Sequence, residues 1–183
     1  MDRSAPMPVA ACDGLEIERW VGAPPAGGDA AQGALVVLLF QMLCRDAVCC
    51  SLPQLERIHA RFAHDGLSVV ALHAVHERHD EMGPEALQRF LSRAGYRFPV
   101  GIDRLDPMRR PISLARLGMD ATPALVVFDA QGRMRHRHAG LVSDLVLAAD
   151  LAWLLAEQAF MQRRGQDRSV AAPLVPATFP HAR

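Results

Sequence analysis

Two apolar runs constrain the fold most: residues 34–40 read ALVVLLF, and residues 67–75 read LSVVALHAV. Both runs are short, continuous and rich in Val and Leu, without the strict apolar–polar alternation of a strand that has one wet face. Such runs are typical of strands that are covered on both sides, as in parallel sheets with helices on each face. The sequence therefore predicts an α/β fold with two central strands.

The residues around these runs predict a strand–helix–strand–helix order. Apolar residues recur at spacings of three and four after the first strand: Val48, Leu52, Leu55, Ile58 and Phe62. Gly66 marks the end of this helix, and Pro53 inside it is expected to kink it. A second helix is predicted to begin at Pro84 and to stop at Gly95.

Three shorter strands and a last helix complete the predicted domain. The strands are residues 98–103 (FPVGID), 125–129 (LVVFD) and 133–138 (RMRHRH), and the tight turn AQG makes the last two an antiparallel hairpin. Ser143 can cap a final helix whose apolar content runs from Leu145 to Phe160. We expect one domain over residues 15–160, a flexible N-terminus over 1–14 and a mobile tail over 161–183.

Composition narrows the function classes. The formal net charge is zero with 20 basic and 20 acidic residues, so no nucleic-acid partner and no membrane surface are expected. All the basic residues are Arg, and without Lys no Schiff-base chemistry is available. The N-terminus lacks the pattern of a secretory signal, and the longest apolar run is too short to span a bilayer, so we expect a cytoplasmic protein.

Three of the four cysteines lie in the stretch FQMLCRDAVCCSL, residues 40–52. In a reducing cytosol, such a cluster indicates a catalytic, redox-sensing or metal-binding role rather than a structural disulfide. Cys44 follows a strand and precedes a helix, where unpaired N–H groups and the helix dipole stabilise the thiolate, so it is the candidate nucleophile. Cys12 stands alone near the N-terminus and is expected to have no chemical role.

Taken in order, these features resemble the thioredoxin fold. The matching pieces are ALVVLLFQMLC before and at Cys44, LPQLERIHARF for a kinked helix, FPVGID, and MDATPALVVFDAQGRMRHRHAG for a loop and hairpin. Within that fold the resemblance is to the redoxin group, which contains the TlpA-like thiol reductases and the AhpC/TSA peroxiredoxins. It implies a central mixed sheet flanked by helices, and a cis-proline loop at Thr122 and Pro123 that positions a thiol substrate. It implies no cofactor.

The chain departs from the reductase pattern at one position. Those reductases carry C-x-x-C, but the third residue after Cys44 is Ala47. A dithiol reductant uses its second thiol to release the mixed disulfide. Here Cys49 or an external thiol reductant must take that part, which makes thiol–disulfide exchange on a disulfide substrate our first hypothesis. For either Cys49 or Cys50, the alternative is a small buried apolar residue.

A peroxiredoxin is the second hypothesis, because the spacing of Cys44 and Cys49 resembles a peroxidatic and resolving pair. Across an intact helix these five residues rise about 7.5 Å, whereas a disulfide needs Cα atoms within about 7 Å. The first helical turn would therefore have to unwind. This family has a Thr or Ser three residues before the cysteine, where this chain has Gln41, so the hydroxyl that orients peroxide is absent. The family also has a Pro seven residues before the cysteine, where this chain has Val37.

The third hypothesis is a non-catalytic module that binds a metal or a partner protein. His73, His76 and His79 lie near the end of the second strand, and parallel strands bring their C-terminal ends to one edge of a sheet, so these histidines are expected near Cys44. Thiolate and imidazole suit zinc and copper. We favour instead one histidine that tunes or shuttles a proton for the thiol, with no resident metal.

Overall fold

The structure, a computed structural model, describes residues 14–25 and 33–170, with side chains described through residue 163. Six strands lie in these parts: β1 (Ile17–Val21), β2 (Ala34–Phe40), β3 (Leu67–His73), β4 (Val100–Asp103), β5 (Ala124–Phe128) and β6 (Met134–Ala139). They form one mixed sheet in the order β1-β4-β3-β2-β5-β6. Cys12 lies outside the described residues.

The central pair β2 and β3 is parallel, with Phe40 opposite His73 at the end of the register. Every residue of both strands is buried. β5 pairs antiparallel with β2 on the other side of the central pair. β5 and β6 pair antiparallel with each other and form the predicted hairpin. The prediction that the C-terminal ends of the two apolar strands share one edge is confirmed, and this edge is where Cys44 begins its helix.

The helices are α1 (Leu52–Phe62), α2 (Pro84–Ala94), α3 (Ile112–Arg116) and α4 (Asp144–Val170). A wider π-helical turn, Ala47–Ser51, precedes α1, and the N–H of Leu52 reaches back five residues to the carbonyl of Ala47. Pro53 lies directly after this turn, inside helical backbone that runs without a break from residue 45 through α1. Because Pro has no N–H to donate, the regular hydrogen bond to the carbonyl four residues earlier cannot form at this position, and the wider turn beside it is the accompanying irregularity.

Side chains of the sheet alternate between two cores. On β2, Val36, Leu38 and Phe40 belong to the cluster that α1 and α4 cover. Leu35, Val37 and Leu39 belong to a second cluster on the opposite face, together with Leu114 and Leu117 at α3. This alternation is the period of two of a strand, and burying each such Leu or Val contributes roughly 1.5–3 kcal/mol.

Three elements differ from the sequence-based expectations. The edge strand β1 and the short helix α3 were not predicted, because their few residues carry no clear periodicity. The final helix α4 continues to Val170, ten residues past position 160, where the tail was predicted to begin. Arg and Gln sustain backbone helix without an apolar face, so the end of the apolar pattern does not mark the end of the helix.

None of the helices in the described ranges is long and apolar enough to cross a lipid bilayer.

Candidate active site

Cys44 lies where the chain leaves β2 and enters its helix. Its N–H donates to the carbonyl of Gln41 at 3.0 Å, and its own carbonyl accepts from the N–H of Val48 at 3.0 Å. The side chain is partly buried against the core, and its Sγ lies 3.9 Å from the carbonyl oxygen of Thr122. The thiol is therefore held between the first helical turn and the loop before β5.

That loop contains the second predicted site feature. The peptide bond between Thr122 and Pro123 is cis, and β5 begins at the next residue. The carbonyl of Pro123 accepts from the N–H of Gly140 at 2.8 Å, which ties the loop to the end of β6. The structure thus brings together Cys44, Thr122 and Pro123, although nearly 80 residues of sequence separate the cysteine from the loop.

Gln41 joins the two sides of this site. It is buried, and its Nε2 donates to Oγ1 of Thr122 at 3.1 Å and lies 2.7 Å from Nδ1 of His76. Its Oε1 accepts from the N–H of His76 at 3.3 Å. Sequence reasoning noted Gln41 only as a missing hydroxyl. The signal that was available is a buried amide immediately after a buried strand, since such a group needs partners from neighbouring elements.

His73 is the last residue of β3 and bonds the chain just before Cys44. It is 1% exposed, and its Nε2 accepts from the N–H of Met42 at 3.2 Å. Burial lowers the pKa of its imidazole from 6.5 to about 4, because the apolar surroundings disfavour the charged ring. His73 is therefore neutral near pH 7, and it orders the backbone just before Cys44 without placing a positive charge beside the thiol.

The three histidines at the end of β3 and just beyond it do not share a ligand position. His73 contacts the backbone of Met42, His76 contacts Gln41, and Nε2 of His79 lies 2.9 Å from the carbonyl of Arg109. Among the residues that the structure describes, no group of three or more His, Cys, Asp or Glu side chains is placed to hold a metal ion. Two of these histidines lie near Cys44, as expected, but neither contacts its sulfur directly in the hydrogen bonds described. His76 bonds Gln41, and His73 bonds the backbone of Met42.

The other cysteines have different surroundings. Ala47, at the second position of the C-x-x-C pattern, is fully buried in the core, and Ser51 shares its inward face. Cys49 and Cys50 are both exposed free thiols. The interpretation of one of them as a buried apolar residue is wrong, because the π-helical turn directs Ala47 and Ser51 inward and leaves Cys49 and Cys50 outside.

Cys49 and Cys50 line a groove of about 300 Å³ together with the segment 141–144. Gln54 and Arg57 also line the groove, and both donate to the carboxylate of Asp144, Gln54 at 2.7 Å and Arg57 at 2.9 Å. Cys44 does not line this groove. Helical backbone runs from residue 45 through α1, so Cys44 and Cys49 are separated by more than a full turn.

Comparison with known proteins defines the class. No protein-family model and no curated protein matches the sequence. Among solved structures, a thioredoxin-like superfamily protein is 35% identical with a TM-score of 0.72, and the match covers 77% of this chain and 93% of that one. A thiol-disulfide isomerase from Corynebacterium glutamicum is 34% identical with the same TM-score and the same coverage.

The chain therefore belongs to the thioredoxin-like superfamily. An oxidised thioredoxin-like protein solved in solution shares only the fold, at 20% identity, a TM-score of 0.62, and coverage of 86% of this chain and 99% of that one. The predicted thioredoxin-like architecture, a mixed sheet flanked by helices with a C-terminal hairpin and final helix, is confirmed.

Proposed function

We propose that this protein is a thiol–disulfide oxidoreductase of the redoxin type in which Cys44 is the nucleophile. The observation that carries the proposal is the position of the Cys44 sulfur, at the start of a helix and 3.9 Å from the carbonyl of Thr122. Support comes from the similar structure that is named a thiol-disulfide isomerase. The geometry suits an extended disulfide substrate that approaches along the loop at Pro123.

The first step is attack on a disulfide. The Cys44 thiol loses its proton to solvent, and N–H groups of the first helical turn stabilise the resulting thiolate. The thiolate attacks one sulfur of the substrate, forming a bond between Cys44 and that sulfur, while the other substrate sulfur leaves as a thiolate. Thr122 and Pro123 hold the substrate chain next to the sulfur, and Gln41 holds Thr122 in place.

The second step releases the mixed disulfide, and we propose that an external thiol performs it. Its thiolate attacks the substrate sulfur, Cys44 leaves as a thiolate, and the external thiol and substrate depart joined by a disulfide. Ala47 has no sulfur for an internal attack. Cys49 lies on exposed helical backbone five residues away, and reaching Cys44 requires the first helical turn to unwind.

We favour a disulfide over a peroxide as the substrate. The peroxidase resemblance calls for a hydroxyl three residues before the cysteine, and Gln41 occupies that position with its amide already bonded to Thr122. An external thiol as second substrate also fits a cytoplasmic location, where the low-molecular-weight thiol pool is reduced.

The test is steady-state reduction of a small chromogenic disulfide by a low-molecular-weight thiol. Cys44→Ser is expected to lose the protein-dependent rate, and Cys49→Ser and Cys50→Ser are expected to keep most of it. Mass spectrometry after stoichiometric disulfide should find the adduct on Cys44. An unchanged rate in Cys44→Ser would overturn the proposal, whereas loss in Cys49→Ser alone would transfer the releasing step to Cys49.

A further inference from the structure

The outer face of α4 is apolar along most of its length. Between positions 145 and 161 every exposed residue of this helix lacks a polar side chain: Leu145, Val146, Ala149, Ala152, Trp153, Ala156, Phe160 and Met161. Leu145 is 81% exposed and Trp153 is 74% exposed. We call this set of eight residues the outer face of α4.

The opposite side of the helix is apolar as well. Leu147, Leu151 and Leu154 are buried in the core against the sheet. A helix that is apolar on both faces is normally buried on both. The exposed area of the outer face is on the order of 600 Å², at the upper limit of the largest apolar patch on a typical monomer and most of the ~800 Å² that one partner contributes to a standard interface.

We propose that the outer face of α4 pairs with the same face of a second copy of this chain, with the two helices antiparallel. A two-fold interface requires a self-complementary surface. The outer face is centred on Trp153, with eight residues to Leu145 on one side and eight to Met161 on the other. An antiparallel pair that places Trp153 against itself therefore sets Val146 of one copy opposite Phe160 of the other, because positions seven apart lie nearly on one line along a helix.

The residues around the centre leave room for this pairing. Ala149 and Ala156 lie beside Trp153 on the helix surface, at spacings of four and three. Asp150 and Glu157 lie on its other side, where they pair with His138 and Arg135 of β6. Small residues beside a large one provide holes into which the indole of the other copy can pack, as in close helix pairs. An aromatic anchor at the centre with smaller apolar residues around it is the usual arrangement of a binding hot spot.

Charge disfavours the parallel direction. A parallel pair would set the exposed Arg163 of one copy beside Arg163 of the other, and like-charge repulsion opposes that arrangement. It would also place the like ends of the two helix dipoles side by side, which the antiparallel direction avoids.

The first test is the mass of the full chain in solution by sedimentation equilibrium. The wild type is expected to have twice its chain mass of 20.0 kDa at micromolar concentration. Trp153→Glu should weaken the dimer on the order of 100-fold, because the change occurs twice in a symmetric interface. Met108→Glu is the matched control, since Met108 is 72% exposed outside the outer face, and its dimer should persist.

The second test fixes the register without introducing a charge. In a variant whose other cysteines are Ser, Trp153→Cys should form a covalent dimer on mild oxidation. Leu145→Cys should not, because its two copies would lie about 24 Å apart along the paired helices, whereas Val146→Cys and Phe160→Cys mixed together should cross-link.

Several outcomes would overturn the proposal. One is a monomeric wild type at 100 µM, and another is cross-linking of Leu145→Cys with itself. Sedimentation of the chain with lipid vesicles in place of dimerisation would assign the outer face to a membrane surface. A dimer that appears only after residues 171–183 are deleted would assign it to that segment. Thiol–disulfide turnover is not part of the readout, so these results stand apart from the role of Cys44.

Discussion

Cys44 and Cys49 are five residues apart in one helical segment, yet their surroundings have little in common. Cys44 is partly buried and faces the loop at Thr122, with Gln41 and His73 ordering the backbone before it. Cys49 is exposed beside a groove closed by an ion pair between Arg57 and Asp144. The difference teaches that nearness in sequence does not give two thiols the same surroundings, because position relative to the helix start and the proline loop decides what each one contacts.

The largest effect is expected from restoring the second thiol with Ala47→Cys. Residues three apart on a helix are neighbours, so Cys44 and the new thiol are within disulfide reach. An intramolecular thiol acts at an effective concentration of millimolar or more, so release of the mixed disulfide at micromolar external thiol should accelerate about 1000-fold. The measurement is single-turnover release of substrate from Cys44, followed by stopped-flow absorbance.

Ser51→Cys is the matched control for that variant. Ser51 is buried on the same inward face as Ala47, but it lies a further turn from Cys44, about 10 Å along the helix. Its release rate should stay at the wild-type value. If Ala47→Cys keeps both thiols free after oxidation, residues 44 and 47 do not lie on one helical turn.

The next largest effect is the loss of folding stability in acid that arises from the buried His73. Its folded-state pKa of about 4 lies below the unfolded value of 6.5, so the unfolded chain binds a proton first as the pH falls. The free energy of unfolding should therefore drop by about 3 kcal/mol between pH 7 and pH 4 through this group alone. Urea unfolding of the wild type and His73→Gln across that range measures the difference.

His73→Gln retains an acceptor for the N–H of Met42 but cannot titrate. Other titrating groups contribute to both curves and cancel in the comparison, including Asp103, whose pKa burial raises despite hydrogen bonds from the Ser113 and Leu114 backbone. Parallel stability curves for the two proteins would mean that His73 is protonated in the fold, or that water reaches it.

The smallest effect is expected from replacing two buried amides, Gln41 on the Cys44 side and Gln54 on the Cys49 side. Gln41→Met removes the bonds to Thr122 and His76 and should cost about 1–3 kcal/mol of stability, because it leaves buried polar groups without partners. It should also slow attack by Cys44 about tenfold by loosening Thr122. The measurements are urea unfolding and the second-order rate of Cys44 with a small disulfide.

Gln54→Met provides the comparison on the Cys49 side. Gln54 is equally buried, and its Nε2 donates to the carbonyl of Val142 and to Asp144. We expect a similar loss of stability with an unchanged rate at Cys44. Equal slowing in both variants would contradict a specific positioning role for Gln41.

Much of the fold was predictable because its signals are local. The buried strands, the stops at Gly66 and Gly95, and the turn before β6 each depend on a few adjacent residues, and all are present. The position of Cys44 after β2 was equally predictable. The edge strand β1 was missed because its polar residues Glu18 and Arg19 interrupt an apolar pattern and its pairing with β4 is irregular.

The sequence by itself determined the α/β class, the order of strands and helices along the chain around Cys44, and the absence of a cysteine at position 47. Only the tertiary structure decided that Gln41 joins His76 to Thr122, that Cys49 and Cys50 face solvent, and that α4 is apolar on its outer side. The physical reason is separation along the chain. Gln41 and Thr122 are 81 residues apart, so their contact follows from how the sheet packs and not from any local pattern.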